Sequence, residues 1–402
     1  MNSGAPIRLV VHVGSPKTGT SYLQTVLQQA QRRRPSAAPA DVVMLPAGRQ
    51  DAFWLMQDVR GRLDPDRDAA RAFGALDRFR ADLAALVQKR EAARVLLSEE
   101  QLGAATPEQV RRLLDRCGDP DEVEIHVVVT SRALSRSVPS YWQQQLQVGA
   151  RITFEDYCAQ VRDREEGFGS RFWRAWDPTS IRERWTPLVP RERFHVVTVP
   201  RGGAPDELLH RFCRVLGVPA PDLKGTDRPR NPSLGWAQAE VLRQVNTALP
   251  ERLRHRRAYR VDGKQWLGLT HLAAQKGDRI ALPLAWQDWC ADQTARVVAG
   301  LSDVDVVGDL ADLRVEAEDF VSEELVPDQV ALTQSAVEAL ASIVVERADA
   351  RTARKVVDAR PERWTRGAVR RARVAARKLR RALTGSGLRG RRGDPGSDPG
   401  SS

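Results

Sequence analysis

Between residues 14 and 21 the chain reads Gly-Ser-Pro-Lys-Thr-Gly-Thr-Ser, a set of residues suited to gripping an anion. Gly19 lets the backbone approach a phosphate or sulfate closely, Thr18, Thr20 and Ser21 add hydroxyl donors, and Lys17 adds a mobile positive charge. The segment separates a β-branched run, IRLVVHVG (7–14), from the helical periodicity that follows it. Strand, loop, helix is the expected order, and open N–H groups at a helix N-terminus favour bound phosphate or sulfate.

A nucleotide triphosphatase loop would place lysine directly after its second glycine. Here that position is Thr20, and the lysine stands forward at Lys17. The strand ending in Thr130-Ser131-Arg132 also lacks the terminal Asp that would help to hold magnesium. Both departures suggest an anionic nucleotide bound without a metal, with Lys17 meeting a bridging oxygen as it becomes a leaving group. Arg132 offers a forked, permanent charge, and Ser140, eight residues on in the next helix, offers a short hydroxyl donor.

PKTGTS (16–21) after a first strand resembles the 5′-phosphosulfate loop of sulfotransferases that use 3′-phosphoadenosine-5′-phosphosulfate (PAPS). Arg132 and Ser140, in TSRALSRSVPSYWQQQ, resemble the pair by which that family binds the donor's 3′-phosphate. The likeness is strongest over 7–25 and 124–146 and continues, thinner, to about residue 315. It implies PAPS as co-substrate, with Pro16, Lys17, Thr18, Gly19, Thr20 and Ser21 at its 5′-phosphate and Arg132 and Ser140 at its 3′-phosphate. Gly263-Lys264 is a stand-in for the loop that closes over the 3′-phosphate in cytosolic animal members.

Sulfuryl transfer also requires a proton acceptor beside the acceptor's hydroxyl or amine. Ser98, Glu99 and Glu100 follow the third apolar strand, in LLSEEQL, and strand ends of an open α/β sheet are where ligands gather. Bacterial members of the family carry an element resembling LLSSE there, in which register Glu100 takes the acidic place and Glu99 replaces a serine. Either can be the base, and both can equally serve a helix N-terminus. His12 and His126 lie within strands, and Trp142, Trp173, Trp176 and Trp185 within helices, where packing is their expected role. Asn231 or Ser233 is expected to cap the next helix.

These groups need a scaffold. Apolar runs of strand length recur at 42–45, 94–98, 124–132 and 194–199. Between them helical patterns cover 67–90, 107–116, 134–148, 170–185 and 206–216. That alternation predicts an α/β fold, a parallel sheet sandwiched by helices, and the resemblance implies its P-loop NTPase-like sulfotransferase form. Helices at 233–249 and 284–301, a short apolar segment at 304–310 and a substrate-covering loop at 263–278 follow. The expected organisation is a sulfotransferase domain over 1–315, a helical extension over 316–350, a basic amphipathic helix over 351–384 and a disordered tail over 385–402.

The 402 residues are 42% hydrophobic and 29% charged, which excludes wholesale disorder. No apolar run approaches the roughly 18 residues of a membrane span, and no secretory signal is visible, so cytoplasm is expected. Four scattered cysteines without a CxxC pair suggest neither a disulfide framework nor a zinc site, and the chemistry is expected to be metal-free. The net charge of +11 belongs to the tail: residues 351–402 hold 16 Lys/Arg against four acids, +12, which leaves −1 for residues 1–350. Within 363–383, Val369, Ala372, Ala376, Leu379 and Leu383 share one helical side, and Arg370, Arg373, Arg377 and Arg381 fall around the other. This pattern suits an anionic membrane surface, peripheral at the inner face, more than nucleic acid. The acceptor would be a small molecule, carbohydrate or glycolipid, and the rival activity is that of a nucleotide-dependent kinase.

Overall fold

The β-branched runs become strands in the computed structural model, which describes residues 6–33, 42–66, 68–89, 94–204, 206–222, 233–250, 253, 259–322 and 328–358. Numbered in chain order, the strands are β1 (Ile7–His12), β2 (Val43–Met44), β3 (Arg94–Ser98), β4 (Val123–Ser131), β5 (Phe194–Thr198), β6 (Leu282–Pro283), β7 (Asp305–Val307) and β8 (Phe320–Val321). Six of them form one parallel sheet in the order β2-β3-β1-β4-β5-β7, and β6 pairs with β8 apart from it. The helices are α1 (Thr20–Arg33), α2 (Arg49–Val59), α3 (Ala75–Lys89), α4 (Pro107–Leu114), α5 (Leu134–Leu146), α6 (Phe154–Asp163), α7 (Phe168–Trp176), α8 (Pro178–Trp185), α9 (Glu207–Leu216), α10 (Trp236–Ala248), α11 (Gln287–Ala299) and α12 (Gln329–Asp358).

Successive strand residues point to opposite faces, and the two cores follow that alternation. Leu9, Val11, Val95, Leu97, Val127, Val129 and Val196 enter the larger core, with α2 to α8. Val10, Leu96, Val128 and Val197 enter the smaller one, against Leu23, Val26 and Leu27 of α1 and Leu209, Phe212 and Leu216 of α9. Each fully buried aliphatic contributes about 1.5–3 kcal/mol, so a one-residue slip in register would be prohibitive. β1 lies at the centre, with Val11 opposite Leu97 on one side and Val127 on the other. From β1 the chain first builds outward through β2 and β3, then crosses to β4, β5 and β7. The C-terminal ends of β1 and β4 therefore border the crevice where such sheets bind ligands.

Several expected elements are subdivided. The 170–185 pattern splits into α7 and α8 at Asp177, whose carboxylate accepts from Thr179 N at 2.9 Å and caps α8, while Pro178 has no N–H to continue α7. The 67–90 pattern is a 3₁₀ turn, Ala70–Ala72, and then α3, divided by Gly74 at φ 69°. The 42–45 run pairs only over Val43–Met44, at the sheet edge before Pro46. The expected loop at 263–278 is instead largely a π-helical segment, Arg260–Leu272. Helix α10 begins after Gly235 with no side-chain cap; Asn231 lies outside the described residues and Ser233 is exposed.

The chain divides into two compact units, Met1–Ala339 and Leu340–Ser402. Residues 316–322, including β8, belong to the first. Of the second, residues 340–358 are described and helical; the basic stretch 363–383 and the tail 385–402 lie outside the described residues. No helix among the described residues is long and apolar enough to cross a membrane.

Candidate functional site

The loop between β1 and α1 is tightly folded. Gly14 sits at φ 111°, and a Cβ there would lie 2.8 Å from the Glu100 carbonyl oxygen, so only glycine lets the two strand ends come together. Gly19, at φ 94°, faces Leu208 of α9 as closely, at 2.6 Å from its would-be Cβ. Lys17 occupies the left-handed region at φ 65°, a conformation that costs a non-glycine residue about 1 kcal/mol or more and persists only where its surroundings hold it. Thr130 backs the loop, its N–H donating to Gly14 O at 2.5 Å and its carbonyl accepting from Ser15 N at 2.8 Å. The N–H groups of Thr20 and Ser21, in the first turn of α1, have no acceptor within the helix.

The threonines divide their duties. Thr18 is buried, its hydroxyl donating to Ser15 O at 2.5 Å and lying 2.5 Å from the Thr130 hydroxyl. That side chain ties the loop together and leaves only backbone for a ligand. Thr20 is buried too, with its hydroxyl near enough to the Glu100 carboxyl to favour its charged form, though outside full hydrogen-bond geometry. Pro16 is buried, and Ser21 is half-buried on the first turn of α1.

Arg132, one residue beyond β4, reaches both the Lys17 carbonyl and the Ser140 hydroxyl with Nη1, each at 3.4 Å. The eight-residue spacing thus brings the two side chains together at the side of the anion loop. Burial pushes the guanidinium down to about 10, with Arg136 and Arg201 adding repulsion and Asp319 opposing it. Arg201 pairs with Asp319 at 2.8 Å, and Asp319 also accepts from Ser135 at 2.6 Å. Arg136 and Arg201 were invisible as site residues in the sequence: the first is one more arginine in an arginine-rich chain, and the second arrives from beyond the C-terminal end of β5.

Glu99 and Glu100 diverge. Glu99 caps a 3₁₀ turn, Glu100–Ala104, accepting from Gln101 N at 3.1 Å. Burial pushes its carboxyl up to about 7, the Gln101 N–H opposes that, the Glu100 charge adds to it, and Arg60 opposes it. Glu100 turns the other way, accepting from Gln144 Nε2 of α5 at 3.2 Å. Burial raises its carboxyl as well, opposed by Gln144, Lys17, Lys264 and Thr20. Burial in turn lowers the Lys17 ammonium, which Glu100 raises and Lys264 and Arg132 lower. Lys264, from the π-helical segment, is lowered by burial and raised by Glu100. Two amines and one carboxyl therefore lie within electrostatic reach of one another near the start of α1, with Arg132 also in reach of Lys17.

The 3₁₀ turn is held in place by β1: Glu99 N donates to His12 O at 3.0 Å and Gly103 N to Val13 O at 2.9 Å. His12 has both ring nitrogens engaged, Nδ1 with Ser98 Oγ at 2.9 Å and Nε2 with Thr130 Oγ1 at 3.1 Å, and burial pushes it down to about 3. It fastens β1 to both neighbours. Ser98, which also accepts from Gln24 Nε2, is likewise occupied. Trp142, Trp173, Trp176 and Trp185 are buried in the larger core. Among the described residues no three His, Cys, Asp or Glu side chains gather as a metal site.

Comparison with known proteins found no matching family model, no matching curated protein and no matching solved structure.

Proposed function

We propose that the protein is a sulfotransferase that moves a sulfuryl group from PAPS to an acceptor hydroxyl or amine, on an α/β fold of the P-loop kind. The observation that carries this reading is that Lys17 and Glu100, from two neighbouring strand ends beside the start of α1, lie within electrostatic reach of each other. The N–H groups of Thr20 and Ser21 would hold the 5′-phosphate, with Gly19 giving it room, and Arg132 and Ser140 the 3′-phosphate. The acceptor oxygen attacks sulfur in line as the bridging bond to the 5′-phosphate breaks. Glu100 takes the acceptor's proton, and Lys17 stabilises the negative charge left on the departing phosphate oxygen. The products are 3′-phosphoadenosine-5′-phosphate (PAP) and the sulfated acceptor.

Calorimetric titration of PAP in EDTA into wild type and Arg132→Ala, with adenosine 5′-phosphate as control, tests the donor site. Metal-free binding that depends on the 3′-phosphate and falls by about 2 kcal/mol in the variant is the expected result. Equal affinity for both nucleotides would overturn the reading and bring the kinase forward, as would an absolute magnesium requirement.

A further inference from the structure

Arginines that serve structure in this chain are visibly engaged. Arg182 donates to Asp303 at 2.7 Å, Arg243 to Glu240 at 2.6 Å, and Arg184 to the carbonyls of Gly103 and Arg174, each at 2.6 Å. Arg60, half-buried at the C-terminus of α2, is different. Its guanidinium forms no ion pair and no hydrogen bond among the described residues; its Nε is buried without a partner, as is that of Arg184, but Arg60 has no Nη bond beside it. The groups within its electrostatic reach are two arginines, Arg62 and Arg174, which oppose its charge, and Tyr141 and Glu99, which favour it.

This cluster borders the proposed reaction centre. Tyr141 lies on α5 one turn before Gln144, the residue that holds Glu100, and feels Glu100, Arg171 and Arg60 together. Its ring meets Phe172 of α7 edge-on at 5.5 Å. Arg171 and Arg174 lie on the same helix with their side chains exposed, and Arg184 ties α7 to the 3₁₀ turn that carries Glu100. The one acid in the group, Glu99, has its carboxylate occupied in capping that turn. Arg60, Arg171 and Arg174 therefore bring three positive charges into the surroundings of Tyr141 and Glu99.

Resting on the sulfotransferase reading, we infer that the acceptor is itself an acid: a hydroxyl compound whose carboxylate or sulfate is held by Arg60 with Arg171 and Arg174, leaving its hydroxyl at Glu100. A forked guanidinium suits either planar carboxylate or sulfate. The Tyr141–Phe172 edge would give the neutral part of such a molecule an aromatic wall.

The test uses two neutral-to-acidic twins, the glucoside and the glucuronide of 4-nitrophenol, which differ by one carboxylate. Their binding to the PAP-saturated protein and their sulfation by PAPS are measured for wild type, Arg60→Gln and Arg174→Gln. The latter alters an exposed side chain and leaves the fold intact. The expected result is a kcat/KM for the glucuronide at least tenfold above the glucoside. That preference should vanish in Arg60→Gln and shrink in Arg174→Gln, with PAP affinity unchanged. Equal binding of the twins, or a preference that survives both substitutions, would overturn the inference. If PAP itself fails to bind, the donor reading falls separately, and glucuronide against glucoside binding to the free protein still decides the arginine site.

Discussion

At the C-terminal ends of the central strands, Lys17, Glu100 and Lys264 face a shared space with charge left unmatched; nearer the opposite ends, a second polar group is closed on itself. There His126 Nδ1 lies 2.8 Å from His195 Nε2, and His195 Nδ1 lies 2.6 Å from Asp305 Oδ2. Glu124 completes the group, 3.2 Å from Arg193 and 3.3 Å from His126 Nε2. Both groups join three elements, and both contain buried titratable residues. The difference is that each histidine of the row has a hydrogen-bond partner through at least one ring nitrogen, whereas Lys17 and Lys264 share a single nearby carboxyl, that of Glu100. Buried polarity without saturation marks a place prepared for a ligand.

The largest effect is expected at the open group. Lys17→Ala should lower kcat for sulfuryl transfer by about 10³-fold, because charge on the leaving oxygen goes unmet. Its melting temperature should stay near wild type. A variant that retains a tenth of wild-type kcat would remove Lys17 from the reaction and make the two groups alike.

Next comes Glu100→Gln, expected to lower kcat by about 10²-fold. In wild type, kcat should rise with pH through the raised Glu100 carboxyl, since only the carboxylate accepts a proton, and fall again in base as the lowered Lys17 ammonium is lost. The variant should lose the acid limb; a pH–rate profile that keeps it would assign the base elsewhere.

Glu99→Gln sharpens the separation of the two acids. Its carboxyl is raised from 4.5 to about 7 by burial, so its stabilising contribution is full below pH 4.5 and is lost as pH rises through 7. Glutamine keeps the oxygen that accepts from Gln101 N and removes the ionisation. Denaturant unfolding should show the variant more stable than wild type at pH 8 by roughly 2 kcal/mol, and little changed at pH 4.5, with activity within a few-fold. If Glu99→Gln instead abolished activity while Glu100→Gln did not, the assignments would exchange.

The smallest catalytic effect is expected in the closed group. His126→Gln should leave kcat/KM within about twofold, since the row lies away from the loop. Burial lowers His126 from 6.5 to about 4, so the stability it supports is present above pH 6.5 and lost as pH falls through 4. Thermal melts over that range should show a shallower acid loss in the variant.

The alternating pattern of buried runs and helical periods was legible as an α/β sheet because a strand buried on both faces leaves a continuous apolar signature. So was the strand-loop-helix order at 7–33, because Gly14 and Gly19 stand where the chain changes direction between β1 and α1. The Arg132–Ser140 meeting was legible as well, since both residues lie within one strand-to-helix junction. What could not be read was any contact between distant segments. LLSEE presents two adjacent acids as equivalents, and only the 3₁₀ turn after Ser98 sends Glu99 to the Gln101 N–H and Glu100 to Gln144, within electrostatic reach of Lys17. The π-helical segment carrying Lys264 resembled a loop because Gly263 and Gly268 interrupt its period; Gly263 packs where a Cβ would lie 2.5 Å from Tyr259 Cε2.

By itself, then, the sequence determined the elements, the loop at the head of α1 and the balance of charge between body and tail, because each depends on neighbours within a turn or a strand. Tertiary structure alone decided which acid faces the lysine, that Thr18 turns inward, that His126 and His195 form a row and that Arg60 lies beside Tyr141. Those outcomes depend on strand order and on helices packed from far along the chain, and local spacing carries no record of either.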